Sequence, residues 1–281
     1  MSAPEFLAIG HVTLDRFGDV VRPGGTALYA AVTAARLGLR AAILTSHGPD
    51  FPLDAIPRPI EVVTLEAPLT TVFEHRWEAG RRVLRVRAQA RALTADDVPA
   101  DWREARLVLL GPVIDEVDPG VVEVFEDTTL AASAQGWLRA VGPGGEVHGR
   151  PWTPPPGLLG RLQALFVSAE DVRGQEDALA AWLECLPLGV VTAGASGALL
   201  YVNAQRYEVA PRPARVVDPT GAGDVFAAAF LVEYERLGDP WAAAAAATCA
   251  ASLAVEGEGW QTVPDRAALA AALAAYLGGA A

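Results

Sequence analysis

With 281 residues, 52% of them hydrophobic, the chain holds enough apolar material for one large α/β domain or two small ones. Its formal charge of −12 has the wrong sign for nucleic acid or an anionic membrane, so neither is expected as a partner. Lysine is absent and all 22 basic residues are arginine, which excludes a Walker-A loop, a protein-kinase site and Schiff-base chemistry.

The first apolar run, 6–9, reads as a strand so near the N-terminus that no basic-then-apolar leader fits before it, and a cytoplasmic location is expected. A helix over 26–38 and strands over 41–44 and 61–65 follow. Residues 70–91 read as two strands about the turn Glu78-Ala79-Gly80, with one polar face, standing off the main sheet as either an edge hairpin or a lid. Next come a strand over 107–111, a helix over 120–127 and an irregular stretch, 142–157, too rich in proline for either element. Strands over 164–167, 190–192 and 198–202 alternate with helices over 176–185, 222–236, 240–256 and 264–277. Strand–helix alternation with near-continuous apolar strands predicts a mostly parallel sheet covered by helices on both faces. The Ala-rich runs lack the large side chains of a membrane span. Cys185 and Cys249 sit in helical patterns and read as buried free thiols, and the four histidines show no metal-ligand spacing.

The chemistry concentrates in DPTGAGD, residues 218–224. Gly221 and Gly223 free the backbone to take positive φ and to approach a ligand closely. Successive amides at a helix N-terminus, with the positive end of its dipole, make an anion cradle that needs no lysine. Asp224 would stand in the first turn, either as a plain helix cap or as a carboxylate held beside the cradle. There the dipole would stabilise its ionised form and leave it a weak base, which suffices when the acceptor alcohol loses its proton late in a loose phosphoryl transfer.

This segment resembles the C-terminal signature of the ribokinase-like (PfkB-type) carbohydrate kinases, and further segments resemble that family in the right order. They are GHVTLD (10–15), PGGTALYAAVTAARLG (23–38), HGPDF (47–51), LTTVFEHRW with the following GRR, AQGWLR (134–139), VSAED (167–171) and TAGASG (192–197). The resemblance implies a single three-layer, Rossmann-like α/β domain over 1–281 with a small β-hairpin lid. It makes Asp224 the base and Gly221, Ala222 and Gly223 the anion hole. Asp15, Gly24, Gly25, Tyr29 and Arg139 are then substrate-binding, with the Asp15 carboxylate on a vicinal diol and Arg139 clamping a phosphate or carboxylate. Thr192, Gly194 and Gly197 would shape the ATP cleft. Asp171, with Glu170 beside it, would act on Mg²⁺ through water, and Asp218 and Thr220 with carbonyls near 251–259 resemble the monovalent-cation loop of some members.

Three features depart from the family pattern. Tyr29 stands where many members have Asn, offering a phenol to bond a hydroxyl or stack on a ring. Asp171 is one methylene shorter than the usual Glu. Only RFGDVVRP separates Asp15 from Gly24, where larger members insert lid strands, so a reduced lid built mainly from 70–91 is expected, in a monomer or homodimer. The function implied is an ATP-dependent kinase acting on a hydroxyl of a small sugar, sugar acid or polyol, inositol-like compounds included. A nucleoside kinase and a non-catalytic ligand-binding relative are the alternatives.

Overall fold

The computed structural model describes residues 3–78 and 81–279. Its strands are β1 (Phe6–Ile9), β2 (Thr13–Phe17), β3 (Val20–Gly24), β4 (Ala41–His47), β5 (Glu61–Glu66), β6 (Thr71–Glu78), β7 (Arg81–Ala88) and β8 (Leu107–Leu110). They continue as β9 (Thr129–Ser133), β10 (Arg139–Val141), β11 (Val147–Gly149), β12 (Ala164–Ser168), β13 (Leu188–Thr192), β14 (Ala198–Val202) and β15 (Gln205–Val209). The helices are α1 (Thr26–Arg36), α2 (Leu158–Arg161), α3 (Glu176–Glu184), α4 (Ala222–Leu237), α5 (Pro240–Ala254) and α6 (Arg266–Gly278).

The main sheet runs β15-β14-β13-β12-β9-β8-β1-β4-β5, parallel from β13 to β5, with β14 and β15 added antiparallel at one edge. Successive side chains of a strand point to opposite faces, and the two cores follow that rule. Phe6 and Ala8 of β1 join α1, α4 and α5 on one face, whereas Leu7 and Ile9 join Trp102, Phe125, Trp137 and Trp182 on the other. That is the expected three-layer, mostly parallel arrangement. The chain leaves β1 for β4 on one side and returns to β8 on the other, so the crevice at the carboxyl ends of β1 and β8 is a topological switch point, where open α/β sheets bind ligands.

A second sheet, β3-β2-β6-β7, stands apart from the first. The 70–91 hairpin supplies only half of it. The segment read as a bare connection after Asp15 folds into β2 and β3, reversing at Gly18 (φ +64) and Asp19. This second sheet is therefore larger than the short gap implied, because a two-residue turn lets a strand pair fit into twelve residues. Residues 79 and 80 of the expected hairpin turn lie outside the described residues.

Elsewhere the stretch read as helix 120–127 is a 3₁₀ segment, Pro119–Val124, capped by Asp118. Strands β9, β10, β11 and β15 were not expected, and β11 lies inside the proline-rich 142–157 stretch. Cys249 is buried as read, but Cys185 is exposed at the end of α3. Among the described residues, no helix is long and apolar enough to cross a membrane.

Candidate active site

Helix α4 opens on Gly221, whose left-handed backbone (φ 76°, ψ 0°) lets the chain turn sharply into the helix. The amide of Ala222 points back to the Pro219 carbonyl at 3.3 Å, and Val225 closes the first helical bond on Gly221. The amides of Gly223 and Asp224 have no carbonyl of an earlier helical turn behind them, so they are available to an anion. Gly223 is exposed, and a side chain there would meet open space.

On one side of this turn lies a cavity of ≈ 270 Å³ whose walls include Ala222 and Gly223 together with Thr192, Gly194 and Gly197. The residues expected at the nucleotide thus share one cleft with the expected anion hole. Thr192 ends β13, and Gly197 (φ +88) is held by the bond from Ala193 to its carbonyl, which shapes the turn into β14. Much of the remaining wall is apolar, including Phe226, Ala251 and Val255, and Thr248 contributes a buried hydroxyl that meets no protein partner.

On the other side the half-buried Asp224 carboxyl faces Thr26, Arg139, Asp15 and Asp171. It accepts a hydrogen bond from the Thr26 side chain, and its charge is felt by Arg139, Asp15 and Asp171. Burial raises its pKa to about 6, the Thr26 bond and Arg139 pull against that rise, and the neighbouring carboxylates of Asp15 and Asp171 add to it. Asp224 is thus a stronger base than a carboxylate in an exposed first turn. Thr26, the first residue of α1, is only 2% exposed. It reaches Asp224 because Gly10 packs against the Gly111 carbonyl and a Cβ on Gly111 would strike Thr26. Neither glycine nor Thr26 was identified from sequence, although Thr26 directly follows the Gly24-Gly25 turn.

The other expected residues converge from separate strand ends. Asp15 lies on β2, its carboxylate accepting from Thr13 Oγ1 at 3.1 Å and covering Gly24, where any side chain would collide with it. Gly25 (φ +96) lets the chain pass close over the His11 carbonyl into α1. Arg139 begins β10, bonds the Val113 carbonyl at 3.2 Å and faces Asp224. Asp171 follows β12, its carboxylate accepting from Ser168 Oγ at 2.7 Å, while Glu170 beside it is exposed. Tyr29 is 2% exposed and its ring lies against Gly221, so it supports the anion-hole turn and has no free face on which a substrate ring could stack. Burial, followed by the charges of Asp218, Asp15 and Asp224, pushes its phenol well above the usual range. One lid residue was missed altogether: His75 of β6 stacks on Phe17 with ring centroids 4.3 Å apart and sets Nε2 3.9 Å from Asp15.

The neighbouring carboxylates of Asp224, Asp15 and Asp171, with the guanidinium of Arg139 beside them, suit a dication accompanied by phosphates. No group of three His, Cys, Asp or Glu side chains among the described residues could hold a metal by itself. Water and phosphate oxygens would have to supply most ligands of a Mg²⁺ ion, with Asp171 acting through water. The expected monovalent cation fits less well. Both oxygens of Asp218 are engaged, by the amides of Thr220 and Gly259 and by Arg22.

Residues 162–266 match the model of the pfkB family carbohydrate kinases. The chain is similar to a cytidine kinase of Thermococcus kodakarensis, 26% identical over 255 residues that cover 83% of this chain and 89% of the relative. Among solved structures it is similar to a pyrophosphate-dependent kinase in the ribokinase family, complexed with a pyrophosphate analog and myo-inositol. That pair has a TM-score of 0.77 and 23% identity, covering 95% of this chain and 99% of the other. It is also similar to Arabidopsis thaliana ribokinase complexed with ribose and ATP, with a TM-score of 0.70 and 19% identity over 96% and 99% of the two chains.

Proposed function

The chain is ribokinase-like, of the PfkB carbohydrate-kinase type, and on that premise we propose an ATP-dependent kinase that phosphorylates a hydroxyl of a small sugar, sugar acid or polyol. The observation that carries the reading is the half-buried Asp224 carboxyl, raised to about 6, beside a helix N-terminus whose amides border a separate cleft. On this reading the Gly221–Gly223 turn stands between the donor cleft and the acidic group of Asp224, Asp15 and Asp171, where a transferring phosphoryl group would pass.

The residues divide the work accordingly. The acceptor is oriented by Asp15, which takes hydrogen bonds from its hydroxyls while Arg139 holds any anionic group on it. As the donor bond loosens, Asp224 accepts the attacking hydroxyl's proton, and a pKa near 6 keeps it ionised yet basic at neutral pH. The Thr26 bond fixes the carboxylate oxygen that is not needed for the proton. The amides of Gly223 and Asp224 bond the equatorial oxygens of the moving group, whose charge they stabilise without reorganising, while the Ala222 amide is spent on the Pro219 carbonyl. Asp171 would hold a Mg²⁺ ion through water, and that ion would supply charge neutralisation of the donor phosphates.

The cleft favours a nucleotide donor over pyrophosphate. Its apolar walls at Phe226, Ala251 and Val255 offer a surface for a base, whereas pyrophosphate has no apolar part to bury. A nucleoside acceptor is the second reading, supported by the likeness to a cytidine kinase over most of the chain and by the Phe17–His75 stack above Asp15. A non-catalytic ligand-binding relative has less support, since a pure binder needs no half-buried base at the turn. Consumption of ATP and, separately, of pyrophosphate is measured against a panel of polyols, sugars, sugar acids and nucleosides. ATP turnover with one acceptor class is the expected result. Pyrophosphate turnover, or ligand-induced stabilisation without any turnover, would overturn the donor assignment or the enzyme reading respectively.

A further inference from the structure

Asp218, the first residue of the DPTGAGD segment, is 9% exposed and anchors the anion-hole turn from below. Its Oδ1 accepts the Thr220 amide at 2.9 Å; its Oδ2 accepts the Gly259 amide at 3.2 Å and Arg22 Nη1 at 3.4 Å. The other terminal nitrogen of Arg22 meets Glu258 at 2.9 Å, and the guanidinium carbon lies 5.5 Å from the Phe17 ring centroid. Arg22 therefore stands between two acids, one at the foot of the anion-hole turn and one on the segment that leads into residues 259–262. Although burial works to raise it, the carboxyl of Asp218 is held below its usual range by the Thr220 side chain and amide, the Gly259 amide and the Arg22 charge.

Four of the carbonyls in the 251–259 stretch that could meet an exchangeable cation already accept protein hydrogen bonds. Val255 O accepts two amides, from Val217 at 2.7 Å and Asp218 at 3.2 Å. Ala254 O accepts the Thr262 hydroxyl at 2.7 Å, and Ala251 O and Leu253 O close the end of α5 on Val255 and Glu256. An ion would have to displace a guanidinium tethered to Asp218 and Glu258.

We propose that Arg22 is a built-in cation that takes the place of an exchangeable monovalent ion beneath the anion-hole turn, and that it positions this turn against the lid. Arg22 lies on β3 directly opposite Asp15 in the strand register, so the residue that meets the acceptor and the residue that braces Asp218 belong to one hairpin. Movement of that hairpin reaches the anion hole through a charge pair. The idea goes beyond the kinase reading, and its first test needs no turnover.

Thermal unfolding of the full chain is compared in potassium chloride and in tetramethylammonium chloride at equal ionic strength, for the wild type, Arg22→Ala and Arg22→Lys. The wild type and Arg22→Lys should melt alike in both salts. Arg22→Ala should melt lower in tetramethylammonium, and potassium should restore about 2–4 °C by binding only the folded, vacated site. Where an acceptor supports ATP turnover, potassium should activate Arg22→Ala and leave the wild type unchanged. Potassium stabilisation or activation of the wild type overturns the proposal, as does an Arg22→Ala protein that loses nothing and ignores potassium. If Arg22→Ala does not fold, the other two proteins decide: indifference to potassium in both supports the assignment, and a response in either contradicts it.

Discussion

At the scale of single residues, the account turns on how Asp224 is surrounded. Burial, Asp15 and Asp171 lift its pKa to about 6 against the Thr26 bond and Arg139. A base works only when ionised, so kcat/KM should rise with pH and level off above an inflection near 6 in the free enzyme. A pH–rate profile tests this; an inflection near the ordinary value of 3.8 would show that the site does not shield the carboxyl. The expectation for Asp224 and its glycines could be formed from sequence because DPTGAGD brings an acid and two glycines into seven consecutive residues. Thr26 was not, since its bond to Asp224 depends on Gly10 and Gly111 letting the ends of two strands approach. Such a contact leaves no local signal. Tyr29 was visible as a departure, but only its burial against Gly221 shows that it supports the turn.

At the scale of elements, the entry into α4 is built from backbone conformation and a tight ring contact. Gly221→Ala would place a methyl group at φ +76 and drive it into the Tyr29 ring, whereas Gly238→Ala at the far end of the same helix, φ +67, would meet nothing. The first substitution should cost about 2–4 kcal/mol and the second about 1–2 kcal/mol, read as denaturant midpoints at constant m. Equal losses would mean that Tyr29 yields freely and does not brace the turn. The main-sheet strands β1, β4, β8, β12 and β13 were readable because each carries a short apolar run buried on both faces, whereas β9 and the exposed edge strand β15 gave no such readable run. The lid strands β2 and β3 were hidden by their composition: Asp15, Arg16, Asp19 and Arg22 interrupt any apolar pattern. The Gly18-Asp19 pair between Phe17 and Val20 was the available signal, a two-residue reversal between alternating strands. Helix 120–127 failed for the opposite reason: Pro119 and the Asp118 cap start a helical turn, but only the 3₁₀ segment to Val124 forms.

At the scale of the whole molecule, the order of the sheet gathers residues that the sequence scatters. Asp15 follows β1, Arg139 follows β9, Asp171 follows β12, and Thr192 ends β13, all at or beyond carboxyl ends of the main sheet. The fold class and the cleft-lining glycines were legible from spacing and resemblance, whereas the Phe17–His75 stack and the Arg22–Asp218–Glu258 bridge are products of the lid's pairing and could be read only from coordinates. The central claim, that one half-buried carboxylate beside the anion-hole turn makes this assembly a kinase, has opposite consequences for stability and for rate. Above pH 6 the folded state carries an ionised Asp224 that water would hold better, so the raised pKa costs stability there, and the cost vanishes below the unfolded value near 3.8. The most direct measurement is therefore Asp224→Asn at pH 8, followed by both ATP turnover and melting. The account predicts a fall in kcat of about 10²–10⁴-fold together with unchanged or raised thermal stability. Turnover within a few-fold of the wild type in a folded Asp224→Asn protein would contradict it.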